Sequence, residues 1–130
     1  MPDRPAQPRV GGQLRIWSQN LNKSLKAQTD FNNHLSPRYF DLALIQEPYF
    51  DFRNLTRINR DWIAVYPPKH TNNPKVTRAI IMVNTRLPSS TWRVVPIDSP
   101  YITAIDIFGP AFGTIRIINV YNDCEHNEAI

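Results

Sequence analysis

Leu42-Ala43-Leu44-Ile45-Gln46-Glu47-Pro48 is an apolar run that ends on a carboxylate and is closed by a proline. A short, nearly continuous apolar segment is the form a strand takes when both its faces are buried, and Asp41 to Glu47 has that form. A carboxylate is costly to leave unpaired in a dry interior, so Glu47 belongs at the strand's end, on an edge. Upstream, Leu14, Ile16 and Ser18 alternate with Arg15, Trp17 and Gln19 and lead into Asn20. That period of two predicts another strand. Between the two runs, Asn22 is placed to cap a helix reaching about Leu35, with Leu25, Phe31 and Leu35 on one stripe and Ser36-Pro37 ending it. Strand, helix and strand make a βαβ unit with parallel strands. Asn20 and Glu47 then share its carboxyl edge, where such sheets bind ligands.

Downstream the grammar changes to strands joined by short loops: Trp62 to Tyr66, Val76 to Asn84, Thr91 to Val95, Tyr101 to Phe108 and Thr114 to Tyr121. Pro67-Pro68, Leu87-Pro88, Ser99-Pro100 and Gly109-Pro110 punctuate them. The class expected is α+β with a mixed sheet. Ile115 to Val120 repeats the opening pattern, because it leads into Tyr121-Asn122. If it points the same way as the first two runs, Tyr121 joins Asn20 and Glu47 at one sheet edge.

The segments Leu-Arg-Ile-Trp-Ser-Gln-Asn-Leu-Asn, Leu-Ala-Leu-Ile-Gln-Glu-Pro and Ile-Ile-Asn-Val-Tyr-Asn, in that order, resemble the opening motifs of the endonuclease/exonuclease/phosphatase superfamily, the DNase I-like enzymes. The wording is nearest to the endonuclease domain of non-LTR, LINE-like retrotransposons, and the resemblance runs from Leu14 to Asn122. It implies the N-terminal part of a four-layered α/β/β/α sandwich, with about one sheet and its helix supplied here. It also implies a phosphodiesterase that nicks chromosomal DNA with Mg²⁺ or Mn²⁺ and no small-molecule cofactor. Glu47 takes the position of the metal ligand, and Asn20, Glu47 and Tyr121 are the catalytic set. Asn22, Arg78 and Asn122 line the phosphate and DNA path. The family's later Asp-x-Asn and Ser-Asp-His motifs have no counterpart after Tyr121, and Asp123 stands where the family often has proline. Residues 13–130 therefore read as the front half of a domain, inactive by itself, whose partner is the missing C-terminal half. Two rival readings are a degraded retroelement remnant with weak nucleic-acid binding and a phosphatase of the same superfamily.

Hard oxygen chemistry suits Glu47, since Mg²⁺ commonly takes one or two carboxylates, water and substrate phosphate. If the chain stays extended, Asn20 and Asn22 project to one side. Asn22 thus has two competing roles, helix cap and site floor. Lys69, His70, Lys75 and Arg78 form one basic group, and Arg53, Arg57 and Arg60 another. The net charge of +4 and pI near 9.5 favour a polyanionic partner. Cys124, Glu125, His126 and Glu128 match no zinc spacing. The single Cys excludes an intrachain disulfide and fits a reducing compartment. No run reaches the roughly 18 apolar residues of a membrane span, and the polar, Pro-rich residues 1–12 read as a disordered lead. An intracellular protein is expected, nuclear if it acts on chromosomal DNA. Half a sandwich should also leave Ile80, Met82, Ile105, Ile107, Ile115 and Ile117 as an uncovered inner face.

Overall fold

The structure, a computed structural model, describes residues 13–122. The expected disordered lead, Asp123 and the segment Cys124 to Glu128 lie outside the described residues. Strand β1 spans Ile16–Asn20, helix α1 Leu25–His34, β2 Leu42–Gln46, β3 Trp62–Val65, β4 Ala79–Asn84, β5 Trp92–Val95, β6 Ile102–Gly109 and β7 Gly113–Val120. They form a mixed four-stranded sheet in the order β1-β2-β4-β3 and an antiparallel three-stranded sheet in the order β5-β6-β7. β1 and β2 are parallel, with Asn20 opposite Gln46. The βαβ reading of residues 14–46 therefore holds.

Why β2 and β4 lack a polar side follows from where they sit. Both lie in the interior of the four-stranded sheet, and their alternate residues feed two different cores. Ala43, Ile45, Ile80 and Met82 pack with Phe31 and Leu35 of the α1 segment, whereas Leu42, Ile81 and Val83 pack with Ile105 and Ile107 of β6. The order of layers is helix, sheet, sheet.

Several expectations are corrected here. The chain supplies two sheets, because the second, antiparallel sheet covers the first. Ile80 and Met82 consequently face the helix, and Ile105 and Ile107 are buried between the sheets. They do not form a bare inner face. The helix is capped by Ser24, whose Oγ accepts from the Ala27 N–H at 3.1 Å. Asn22 cannot serve, since it lies before that turn in a left-handed conformation at φ +53°, which asparagine tolerates better than most residues. Leu25 points outward, and Gln28 takes its place on the buried stripe. Its amide is satisfied there by the Arg57 carbonyl and the Thr56 hydroxyl, as a buried polar group requires. The segment 74–76 is a short 3-10 turn, so the fourth strand begins at Ala79.

Candidate active site

Backbone hydrogen bonds alone bring the candidate segments to one edge. Leu21 N–H donates to the Gln46 carbonyl at 2.9 Å, and Lys23 N–H to the Glu47 carbonyl at 2.8 Å. Glu47 N–H donates to Arg78 at 2.8 Å, Arg78 N–H to Pro100 at 2.9 Å, and Tyr121 N–H to Tyr101 at 2.8 Å. The ends of β1, β2 and β7 and the starts of β4 and β6 are thus stitched along one rim. Tyr121 reaches that rim from the second sheet, not from the sheet of Asn20 and Glu47 as expected, because β7 pairs with β6. Its ring meets Tyr101 edge-on with centroids 5.9 Å apart.

Two side chains lock the sheets together just below the rim. Asn119 is 2% exposed and donates to the carbonyls of Ile45 at 3.0 Å and Ile80 at 2.7 Å, while its Oδ1 accepts from Gln46 Nε2. Thr103 adds a hydroxyl bond to the Ala79 carbonyl. Sequence reasoning missed Asn119. The signal was present, since Asn119 shares the inward parity of Ile115 and Ile117 in a strand of otherwise apolar inward positions.

Strain concentrates on the same rim. Among the described residues four non-glycines have positive φ, and three are Asn22 at +53°, Lys23 at +57° and Glu47 at +49°. A glutamate in this region is uncommon, and such conformations persist where surrounding bonds impose them. Here the bonds from Lys23 and to Arg78 impose it, on both sides of the Glu47 peptide. Glu47 is partly buried, and its carboxylate takes no hydrogen bond or ion pair among the described residues. Asn20, opposite the preceding residue, is exposed and uses its Oδ1 to accept the Asn22 N–H at 2.8 Å. This turn ends the extended backbone, so Asn20 and Asn22 do not project together.

Beside Glu47 lies a concavity of about 220 Å³ lined by Lys23, Pro48, Tyr49, Phe50, Lys75, Thr77 and Arg78. Its three cations have no acidic neighbour in the lining. Arg78 is fixed by donating to the carbonyls of Lys75 at 2.8 Å and Thr77 at 3.2 Å. His70, grouped with these residues on sequence, is instead buried. Arg53 pairs with Asp51 and, with Arg57, lines a different groove along β3. Asn122 is exposed just beyond Tyr121.

As to a metal, no group of three His, Cys, Asp or Glu occurs among the described residues. A carboxylate without a partner among the described residues, as at Glu47, is the donor type a hard cation takes while keeping most of its water.

The helix, mixed sheet and facing antiparallel sheet form a layered sandwich with the DNase I-like fold. In particular, the chain is similar to the solved endonuclease domain of TRAS1, a telomere-specific non-LTR retrotransposon, with 19% identity and a TM-score of 0.60. The match covers 85% of this chain and 46% of that one, so the chain spans about half of that domain's length. No family model matches the sequence, and no curated protein does. No helix among the described residues is long and apolar enough to cross a membrane.

Proposed function

We propose that this chain is the front half of a Mg²⁺- or Mn²⁺-dependent DNA endonuclease domain of the retrotransposon type. The observation that carries the proposal is Glu47: a partly buried carboxylate without a partner among the described residues, held at positive φ at the end of an interior strand. Strain of this kind, about 1–3 kcal/mol, clusters at functional sites. Glu47 would hold the cation, with Asn20 beside it and Tyr121 at the neighbouring strand end. A bound divalent ion would offset charge on the scissile phosphate and the leaving oxygen. Lys23, Lys75 and Arg78 supply positive charge along the concavity for the DNA backbone, and contacts of this kind set register without reading sequence. Asn122, exposed at the same rim, extends that path. The general base and its supporting carboxylates belong to the other half of the domain, whose acting on chromosomal DNA would place the protein in the nucleus.

The test is plasmid relaxation in Mg²⁺ and Mn²⁺ with this chain extended at its C-terminus by the second half of a DNase I-like domain. Nicking is expected from the extended protein, not from its Glu47→Ala variant, and not from the 130-residue chain. Nicking by the chain itself that Glu47→Ala abolishes would overturn the half-domain part of the reading. Nicking unaffected by that substitution would overturn the role of Glu47.

A further inference from the structure

Phe52 is 93% exposed, the most solvent-open of the large apolar side chains among the described residues. A lone exposed apolar residue is ordinary, yet the turn that carries this one is fixed at the residues on both sides of it. Asp51 N–H donates to the Leu55 carbonyl at 2.9 Å, and Asn54 N–H to the Asp51 carbonyl at 2.9 Å. The Asp51 carboxylate accepts from the N–H groups of Arg53 at 2.8 Å and Leu55 at 3.3 Å, and from the Arg53 guanidinium at 2.8 Å. Asn54 sits at φ +62°. From beneath, buried His70 holds the Asn54 carbonyl through Nε2 at 2.6 Å and is itself fixed by Thr77 at 2.8 Å and by stacking on Tyr66 at 4.4 Å. All this bonding and strain leaves one side chain standing in water.

The charge around it says what it meets. The Arg53 guanidinium lies 5.9 Å from the Phe52 ring centroid. Arg57 exposes its side chain while its carbonyl is clamped by the Gln28 and Asn32 amides, each at 3.0 Å. An aromatic face flanked by arginines is the combination that takes bases and phosphates of a single strand. We propose that the Asp51–Asn54 turn is a preorganised platform on which Phe52 stacks one unpaired nucleobase of DNA, with Arg57 supplying charge for a flanking phosphate. A paired base has both faces covered by its neighbours, so the platform selects single-stranded or opened DNA. This inference rests on the DNA-directed reading above and adds a contact outside the Glu47 rim.

The test is fluorescence anisotropy of the full chain in EDTA, so that binding is read without cleavage. The probes are a labelled oligothymidylate of about 20 nucleotides and a duplex of equal length. Phe52→Ala should weaken single-strand binding at least about fivefold, the lower end for one base stacked on an aromatic ring, and change duplex binding by less than about twofold. Phe52→Trp should restore it. Equal single-strand binding by Phe52→Ala and the parent overturns the platform, as does an equal loss on duplex. If Lys75→Gln and Arg78→Gln weaken duplex binding while Phe52→Ala is neutral, the platform falls and the nuclease reading stands. Absence of binding to either probe removes both.

Discussion

Strands β4 and β7 both carry runs of Ile and Val and have opposite surroundings. Every residue of β4 from Ala79 to Asn84 is buried, with the helix on one side and the second sheet on the other. β7, at the edge of its sheet, buries Asn119 and partly covers Ile115 and Ile117, yet leaves Ile118 50% and Val120 43% exposed. The first sheet is finished on both faces along its interior strands, whereas the second leaves the outer face of its edge strand β7 open. The difference teaches that the site rim is anchored by the finished sheet, which supplies Asn20 and Glu47. The half-covered sheet brings Tyr121 and holds on through Asn119.

The sharpest way to break this contrast is to truncate one residue on each side of it. Ile81→Ala should cost about 3–4 kcal/mol in urea unfolding, the range for a fully buried aliphatic side chain. Ile118→Ser should stay within about 0.5 kcal/mol. Comparable losses would mean that the outer face of β7 is covered. Next in size is the clamp: Asn119→Ala removes two donors from buried carbonyls and leaves the Gln46 amide without its acceptor. A loss of about 2–3 kcal/mol is expected. A near-neutral result would show that the sheets are held by apolar packing alone.

A third probe is read in pH. On the second sheet Asp106 lies in register between Arg93 and Arg116. The hydrogen-bonded Arg116 guanidinium, 2.8 Å away, holds the Asp106 carboxyl below the usual carboxylate range against the opposing effect of burial, and Arg93 adds to it. A depressed value means stabilisation that is complete above the unfolded carboxylate pKa of about 3.9 and is lost as pH falls through the lower folded value. Acid titration of Asp106→Asn should therefore show a shallower loss below about pH 4 than the parent. An identical acid slope would contradict the assignment.

The smallest effect has the opposite sign. Glu47→Gly relieves a positive φ, so the variant should be more stable by up to about 1 kcal/mol. A destabilised variant would mean that the Glu47 side chain supports the fold.

What the sequence reveals of this molecule is local. The alternation at Leu14 to Gln19 and the run through Glu47 suffice for the βαβ unit, because a right-handed parallel crossover is nearly obligatory. The division of the later strands into a second sheet is not readable, since Ile80 and Ile81 look alike until one faces Phe31 and the other Ile105. The cap at Ser24 was obscured by Asn22, a residue type equally suited to a cap and to the left-handed turn it occupies. His70 falls into a basic group on sequence because its partners, Thr77 and the Asn54 carbonyl, approach through loops whose paths periodicity does not encode. Glu47, Asn20 and Tyr121 were legible as strand ends. The strain at Glu47 and the brace under Phe52 required coordinates.

The central claim, that Glu47 is a metal ligand beside Asn20, is tested most directly by titrating Mn²⁺ into isotopically labelled chain and following amide resonances. Paramagnetic broadening should appear first at Asn20, Leu21, Glu47 and Tyr49, and should vanish there in Glu47→Gln while the remaining spectrum is unchanged. Broadening that persists in Glu47→Gln, or that begins elsewhere on the surface, would contradict the account.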